Sequence, residues 1–304
     1  MHRGNDVDPR SEIRDFLTTR RARISPDQAG LPAYGTEHRR VPGLRREEVA
    51  MLAGVSVDYY TRLERGNARG VSDQVLDALA RALHLDEAET AHLFDLVRAT
   101  NAAASAASAR SAASAGHRPS GQRVRPGMQR LLDTMAMAPA YVRNGRMDVL
   151  ASNSLGRALF APLFDSPVRH TNIARFMFLD PAAQDFYDGW DRHAADTVAL
   201  LRAEAGRNPY DKALSDLIGE LSTRSEIFRV RWADHNVRFH RSGIKHLHHP
   251  VVGELMLSYE SMELTADAGL RLNAYSAELG SASQDALNVL ASWSATTTTA
   301  VQES

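Results

Sequence analysis

The 304-residue sequence contains no cysteine, and only Lys212 and Lys245 among its 36 basic residues are lysine. The chain therefore has no disulfide, no thiolate metal ligand and no cysteine nucleophile. The predominance of arginine fits a GC-rich genome and carries no functional prediction. No stretch reaches the roughly 18 apolar residues of a membrane helix, and the charged residues 1–9 lack the apolar centre of a signal peptide. We expect a cytoplasmic protein.

The chain also lacks an excess of either charge, since its net charge is −1. The charges are nevertheless distributed unevenly. Residues 1–70 contain 13 arginines against 10 acids, residues 71–100 contain 2 against 6, and residues 101–127 contain 4 arginines and no acid. A basic start followed by an acidic segment indicates either an interaction surface or a merely solvated basic face.

The length suits two domains, and the composition changes most sharply between them. Residues 102–115 consist of nine alanines, four serines and one arginine, without a large apolar side chain to bury. We interpret residues 101–126 as an interdomain linker and residues 296–304 as a flexible tail. The predicted domains are residues 10–100, an all-α bundle, and residues 127–295, an α+β domain.

The first domain contains a pattern typical of a helix-turn-helix. Ala50 is the small residue on the first helix, Gly54 suits the turn between the two helices, and Ser56 is the N-cap of the second. Gly66 stands where a helix end favours a left-handed residue. Apolar residues follow at buried positions: Val49, Ala53, Val55, Tyr60 and Leu63.

The run Glu47-Glu48-Val49-Ala50…Gly54-Val55-Ser56…Leu63-Glu64-Arg65-Gly66 resembles the Xre (phage-repressor-like) helix-turn-helix family. The alternative is a helical hairpin that does not bind DNA. The resemblance implies that the second helix enters the major groove of a double-stranded DNA operator. The residues implied to face the bases are Val57, Asp58, Tyr59 and Arg62. Those implied to contact phosphates are Arg45, Arg46, Ser56, Arg65, Asn67 and Arg69.

Two of these residues have a simpler interpretation as well. Arg62 has the geometry to bind a guanine edge and Asp58 to accept a hydrogen bond from cytosine. Alternatively, Asp58 only complements the helix dipole, and Arg62 only pairs with Asp58 four residues away.

The second half alternates predicted strands and helices. Residues 140–150 predict a β-hairpin with its turn at Asn144-Gly145. Residues 243–249, 253–261 and 271–275 predict further strands of one sheet, and residues 230–232 another. One helix is expected from Pro181 to Leu201. This order favours an antiparallel sheet with helices, the architecture of a sensor domain.

The half resembles the ligand-binding domain of the MmyB-like (MltR-type) transcription regulators, whose fold is PAS-like. The matching stretches are Asp148-Val149-Leu150-Ala151-x-Asn153, Phe178-Leu179-Asp180-Pro181, Trp190, Leu201-Arg202, Leu221-Ser222-x-x-Ser225-x-x-Phe228, Trp232-Ala233-x-His235-x-Val237, His249-Pro250-x-Val252-Gly253, Leu257-x-Tyr259 and Leu287. The resemblance implies a buried pocket for a small apolar ligand, such as a fatty acid.

Candidate pocket residues are large aromatic side chains and polar side chains suited to anchor a carboxylate or carbonyl. The aromatic candidates are Phe176, Phe178, Trp190, Phe228, Trp232 and Tyr259, each of which has core packing as its alternative role. The polar candidates are Asn153, Asn172, Arg175 and His235. His246 and His248 lie two apart in a predicted strand, yet without cysteine or a Glu-x-x-His helix we predict no metal and no cofactor.

These features predict a sequence-specific transcription regulator that works as a homodimer, away from membranes. The alternatives are an enzyme tethered to DNA and a C-terminal domain that only dimerises. No Gly-x-Ser-x-Gly elbow, phosphate-binding glycine loop or zinc-hydrolase motif occurs, so we do not expect an enzyme.

Overall fold

The computed structural model describes residues 8–31, 43–109, 123–168, 170–234 and 242–302. The chain forms two compact units, each assembled from separate stretches of sequence. The described residues of the first unit belong to the stretches Met1–Gly116, Arg202–Gly219 and Val230–Arg238. Those of the second belong to His117–Leu201, Glu220–Arg229 and Phe239–Ser304.

The described chain contains fourteen helices and five strands, in the order that follows. They are α1 (Pro9–Arg23), α2 (Arg46–Leu52), α3 (Val57–Glu64), α4 (Asp73–Ala82), α5 (Glu87–Ala109), α6 (Pro126–Thr134), β1 (Ala140–Asn144), β2 (Val149–Ser152), α7 (Ser154–Leu159), α8 (Ala161–Phe164), α9 (Ile173–Leu179), α10 (Ala182–Phe186), α11 (Trp190–Arg207), α12 (Lys212–Arg224), α13 (Glu226–Ala233), β3 (Ser242–His249), β4 (Gly253–Glu263), β5 (Leu270–Ser276) and α14 (Ala282–Gln302).

The first unit is all-α and is built around helices α1 to α5. Apolar residues at helical spacing bury one face of each helix, as Ile13, Phe16 and Leu17 do on α1. Ser72 is the N-cap of α4, because its Oγ accepts a hydrogen bond from the Val75 N–H at 3.4 Å. The predicted helical bundle is therefore confirmed.

A stretch of the chain far from α1 in sequence completes this unit. The guanidinium of Arg202 is buried and donates to a Glu12 Oε2 on α1 at 2.6 Å. It also lies over the Trp232 ring at 4.1 Å from the ring centroid and donates to the Trp232 carbonyl. Gly206 fits against His92 of α5 so closely that an added Cβ would stand 2.6 Å from the imidazole Cε1. The C-terminal part of α11 thus contacts α1 and α5, and the end of α13 lies against Arg202.

The second unit contains one antiparallel five-stranded sheet in the order β2-β1-β5-β4-β3. Burial alternates along strand β4, so that one face of the sheet is apolar and covered. Leu255, Leu257 and Tyr259 are buried, whereas the residues between them are exposed. That face packs against α7 to α11 and α14. At β1 and β5 the opposite face packs on Leu132 of α6. The predicted α+β fold with a single antiparallel sheet is confirmed.

Four local predictions differ from the structure. Residues 230–232 are not a strand but the end of α13, which Ser225 caps through a 3.2 Å hydrogen bond from the Phe228 N–H. The helix expected from Pro181 to Leu201 is interrupted at Gly189, whose φ is +64°. In the β1–β2 hairpin the left-handed residue is Met147, with φ +67°, and not Asn144 or Gly145.

The fourth difference concerns the two segments expected to lack structure. Helix α5 continues to Ala109 through the first part of residues 101–126, of which residues 110–122 lie outside the described chain. Helix α14 continues to Gln302 and includes most of residues 296–304. Alanine, which dominates residues 102–109, has the strongest helix propensity. Both segments extend a helix already nucleated by packed residues, so no new nucleus is required.

Candidate DNA interface and ligand site

The turn between α2 and α3 fixes where the candidate recognition helix begins. Gly54 has φ +67°, and the next N–H, of Val55, donates to the Ala50 carbonyl at 2.9 Å. Ser56 then caps α3, because its Oγ accepts from the Tyr59 N–H at 3.1 Å. The exposed start of α3 therefore follows directly from the sequence Gly-Val-Ser.

Three side chains predicted to face bases are exposed on α3. Val57 is 46% exposed, and Asp58 and Arg62 are exposed as well. Among the described residues Arg62 does not pair with Asp58; its guanidinium instead lies 5.2 Å from the centroid of the Tyr59 ring. The guanidinium is thus held along the outer face of α3 with its donors available.

The residues predicted to contact phosphates lie around this helix. Arg45, Ser56, Arg65, Asn67 and Arg69 are exposed. Arg46 differs from them, because its Nε donates to a Glu64 carboxylate oxygen, although its side chain is still 48% exposed. Arg46 therefore combines a structural ion pair with partial access from solvent.

Glu64 is a buried carboxylate that the sequence pattern left without a role. Its side chain is 1% exposed and accepts from Nε of Arg21 on α1 at 2.7 Å as well as from Arg46. The Tyr60 hydroxyl lies 3.4 Å from the same carboxylate, and burial raises the pKa of Tyr60. Glu64 therefore connects α1 and α2 to the C-terminal end of the recognition helix α3.

In the second unit, the predicted amide anchors have structural partners. Both polar atoms of the Asn153 side chain are used: Oδ1 accepts from the Ala140 and Gly156 N–H groups, and Nδ2 donates to the Met135 and Ala138 carbonyls, all at 2.7–3.0 Å. Asn153 therefore caps α7 and attaches it to β1.

Asn172 and Arg175 are also engaged. Asn172 accepts from the Arg175 N–H at 2.9 Å and donates to Asp148 Oδ1 at 2.8 Å. Arg175 pairs with Glu220 at 2.9 Å. The fourth polar candidate, His235, lies outside the described residues.

The aromatic candidates fall into separate places. Phe178 packs on Phe228 and Trp190, with ring centroids at 5.1 and 6.1 Å. Phe176 belongs to a neighbouring cluster around Phe186 in the same unit. Trp232 is part of the first unit, under Arg202, and so does not join the other candidates.

A cleft of about 600 Å³ opens beside β3 in the second unit. Trp190 lines it, together with acidic and imidazole side chains: Asp185, Asp188, Glu254, His246 and His248. The cleft is more polar than a pocket for an apolar ligand. No group of three or more His, Asp or Glu residues among those described is placed to hold a metal ion.

Tyr187, which lines this cleft, also belongs to a set of polar side chains that the sequence did not reveal as a group. The Lys245 ammonium stands between the rings of Tyr187 and Tyr259, 5.5 and 5.4 Å from their centroids. Burial lowers the pKa of Lys245 to about 8, and Asp196 opposes this effect. Burial, reinforced by the charge of Lys245, also lowers the pKa of His193 to about 4.

Tyrosine hydroxyls adjoin this group. The hydroxyls of Tyr141 and Tyr275 lie 3.1 Å apart, and burial raises the pKa of both phenols. Tyr259 of the predicted pocket residues belongs to this set. The sequence contains one signal for this group of side chains: Lys245 is one of only two lysines among the 36 basic residues of the chain.

Comparison with known families agrees with both halves of this description. The MmyB-like transcription regulator ligand binding domain matches residues 124–290, more than half of the chain. The chain belongs to this family. A helix-turn-helix domain matches residues 12–93. No curated protein matches the chain.

The MmyB-like chain is therefore a DNA-binding transcription regulator with a ligand-binding domain, and neither matching family is enzymatic. Within the described residues no helix is long and apolar enough to cross a membrane.

Proposed function

We propose that this MmyB-like regulator reads a specific operator through α3 and changes its DNA affinity when residues 127–295 bind a small ligand. We further propose that it acts as a homodimer in the cytoplasm, since helix-turn-helix proteins usually place two recognition helices in successive major grooves. The apolar, fatty-acid-like nature of the ligand is part of this proposal.

The DNA-binding part of the proposal is supported by the row of exposed side chains along α3. Val57 is suited to touch a thymine methyl group, and Arg62, held along the helix by Tyr59, to donate two hydrogen bonds to guanine. Arg65 is exposed at the C-terminal end of the helix, where a guanidinium suits phosphate and not base recognition.

The test compares Arg62→Ala with Arg65→Ala. We expect Arg62→Ala to weaken binding to the operator by about 1–3 kcal/mol at one base position, as measured by titration against operator variants. Arg65→Ala is expected to weaken binding to all sequences alike and to reduce the salt dependence of binding. An Arg62→Ala protein that discriminates among operator variants as the wild type does would refute the base-reading role.

The ligand-binding half rests on the aromatic interior of the second unit. Native mass spectrometry of the purified full chain is expected to show a dimer with a bound lipid-like molecule. An empty dimer would favour a domain that only dimerises. A ligand acts as an effector only if its affinity differs between two arrangements of the protein, so operator titrations with and without dodecanoate complete the test.

A further inference from the structure

Tyr59 is a half-buried aromatic residue on the candidate recognition helix α3, and packing in the core does not explain its position. It lies outside the apolar core of the first unit, to which the next residue, Tyr60, belongs. The Tyr60 hydroxyl lies 3.4 Å from a Glu64 carboxylate oxygen, whereas the Tyr59 hydroxyl has no hydrogen-bond partner among the described residues. Neither the core nor a hydrogen bond therefore accounts for an aromatic side chain at position 59.

The ring of Tyr59 contacts a guanidinium instead. The Cζ atom of Arg62 lies 5.2 Å from the ring centroid, and residues three apart are neighbours on one face of a helix. Asp58, four residues before Arg62, has a carboxylate at a spacing that also allows contact. Yet the described residues include no ion pair between Arg62 and Asp58. The guanidinium is thus placed on the ring and not on the carboxylate.

An aromatic neighbour leaves the hydrogen-bond donors of an arginine available. The face of a ring attracts the positive charge, but it does not accept hydrogen bonds as a carboxylate oxygen does. Arg46 uses its Nε on Glu64, and Arg45 lies 3.4 Å from a Glu47 carboxylate oxygen. Of these three arginines, Arg62 is the one whose contact consumes no donor.

This contact favours base recognition in particular. A long side chain loses conformational entropy when it is fixed on a base, and a guanidinium that already lies on a ring loses less. Two parallel hydrogen bonds to guanine O6 and N7 also require one orientation of the guanidinium plane. Arg65 has no aromatic neighbour among the described residues and lacks this support. A ring at position 59 is therefore expected to sharpen discrimination among bases more than it strengthens DNA binding in general.

We propose that Tyr59 is a positioning residue for Arg62, and that its ring sets how strongly the protein prefers guanine at the base pair that Arg62 reads. The proposal rests on the base-reading role of Arg62 proposed above and adds a second determinant of its specificity. It also changes the role that the helix-turn-helix resemblance implied for Tyr59. Instead of contacting a base itself, Tyr59 acts through its neighbour, and its hydroxyl has no part in this role.

The first experiment compares full-length variants on one set of DNA probes. The probes are the duplex that the wild-type protein selects from a random-sequence library and every single base-pair variant of that duplex. We expect Arg62→Ala to reduce the preference at one base pair about tenfold or more, and Tyr59→Leu to reduce it about three- to fivefold at the same base pair. At the other base pairs Tyr59→Leu is expected to change relative affinities less than about twofold.

Two further changes at position 59 separate the ring from its hydroxyl and from its shape. Tyr59→Phe keeps the ring and is expected to discriminate among the probes as the wild type does. Tyr59→pentafluorophenylalanine keeps nearly the shape of phenylalanine but reverses the electrostatics of the ring face, so it is expected to lose discrimination as Tyr59→Leu does. None of these changes removes the backbone N–H of residue 59, which donates to Ser56 Oγ at 3.1 Å and so keeps the cap of α3.

A double-variant cycle tests whether Tyr59 acts through Arg62. In the Arg62→Ala background, Tyr59→Leu is expected to change discrimination less than about twofold, because no guanidinium remains to be positioned. The matched control is the Arg65→Ala background, in which Tyr59→Leu is expected to keep its full effect of about three- to fivefold. An equal effect of Tyr59→Leu in both backgrounds would mean that Tyr59 acts independently of Arg62.

The outcomes distinguish this proposal from base reading by Arg62. If Arg62→Ala discriminates as the wild type does, or if the wild-type protein selects no preferred duplex, the base-reading role and the role of Tyr59 are both refuted. If Arg62→Ala loses discrimination and Tyr59→Leu does not, only the role of Tyr59 is refuted. A loss in Tyr59→Phe equal to that in Tyr59→Leu, or a loss at a different base pair, means that Tyr59 contacts the DNA itself and also refutes it. Should Tyr59→Leu not fold, the comparison of phenylalanine with pentafluorophenylalanine at this position decides.

Discussion

At the scale of single residues, Glu64 shows how one carboxylate holds the DNA-binding helices together. It is 1% exposed and accepts hydrogen bonds from Arg21 and Arg46. We expect Glu64→Gln, which keeps the shape and removes the charge, to lower the free energy of unfolding by about 3 kcal/mol, because the Arg21 side chain, 14% exposed, then loses its counter-ion. Urea unfolding measured by circular dichroism tests this.

The matched control is Glu47→Gln on the same helix as Arg46. Glu47 is 62% exposed and its contact with Arg45 is 3.4 Å long, so its loss is expected to change stability by less than about 0.5 kcal/mol. Equal losses in the two variants would contradict the structural role of Glu64.

At the scale of elements, the end of α3 is fixed by a close approach of two backbones. Gly66 has φ +85°, and an added Cβ would stand 2.4 Å from the Arg10 carbonyl oxygen on α1. Gly70 has a similar φ of +68° but open space around it. Both alanine variants suffer the backbone strain of about 1–2 kcal/mol, and only Gly66→Ala adds an overlap.

We therefore expect Gly66→Ala to destabilise the protein by at least about 2 kcal/mol more than Gly70→Ala in thermal or urea unfolding. If the two variants unfold alike, α1 and the end of α3 do not approach as closely as the structure places them.

The elements also show what the sequence can and cannot predict. The turn at Gly54, the cap at Ser56 and the alternation along β4 were predictable, because each depends on a signal within a few residues. Residues 230–232 were wrongly expected to form a strand, since Val and Trp flanking Arg mimic a period of two. Ser225 instead caps a helix that includes residues 230–232, and this N-cap lies outside the three-residue pattern.

The candidate sites divide in the same way. The exposed row on α3 follows from local spacing, whereas Lys245, Tyr187 and His193 come together only through the sheet and the turn before α11. Their separation in sequence, with no shared motif, hides them. The asparagines looked like ligand anchors because amides suit carboxylates, but helix caps need the same chemistry, and Asn153 uses all of its capacity there.

At the scale of the whole molecule, the two units do not follow the order of the sequence. The family match at residues 124–290 includes Arg202–Gly219, yet those residues belong to the unit that contains α1 to α5. The first unit therefore depends on chain that is synthesised well after its own helices. A fragment that ends after α5 lacks Arg202, which pairs with Glu12 on α1, and Gly206, which lies against His92 on α5.

Arg202 offers the sharpest test of this dependence. Because Arg202 is 1% exposed and pairs with Glu12, Arg202→Met removes a guanidinium that compensates a largely buried carboxylate on α1. Burial already raises the pKa of Glu12, an effect that the charge of Arg202 opposes, so the loss of Arg202 is expected to raise it further. We expect faster hydrogen exchange throughout α1 and a stability loss of about 3 kcal/mol in the full chain.

The control for this test is Arg207→Met, five residues further along α11. Arg207 is 37% exposed, pairs at 3.3 Å with Glu204 and donates to the Ala203 carbonyl, both on its own helix, so its replacement is expected to leave the exchange of α1 unchanged. Faster exchange of α1 in Arg202→Met alone means that the segment after residue 201 stabilises the DNA-binding helices. Equal exchange in both variants would mean that α1 is stable without it.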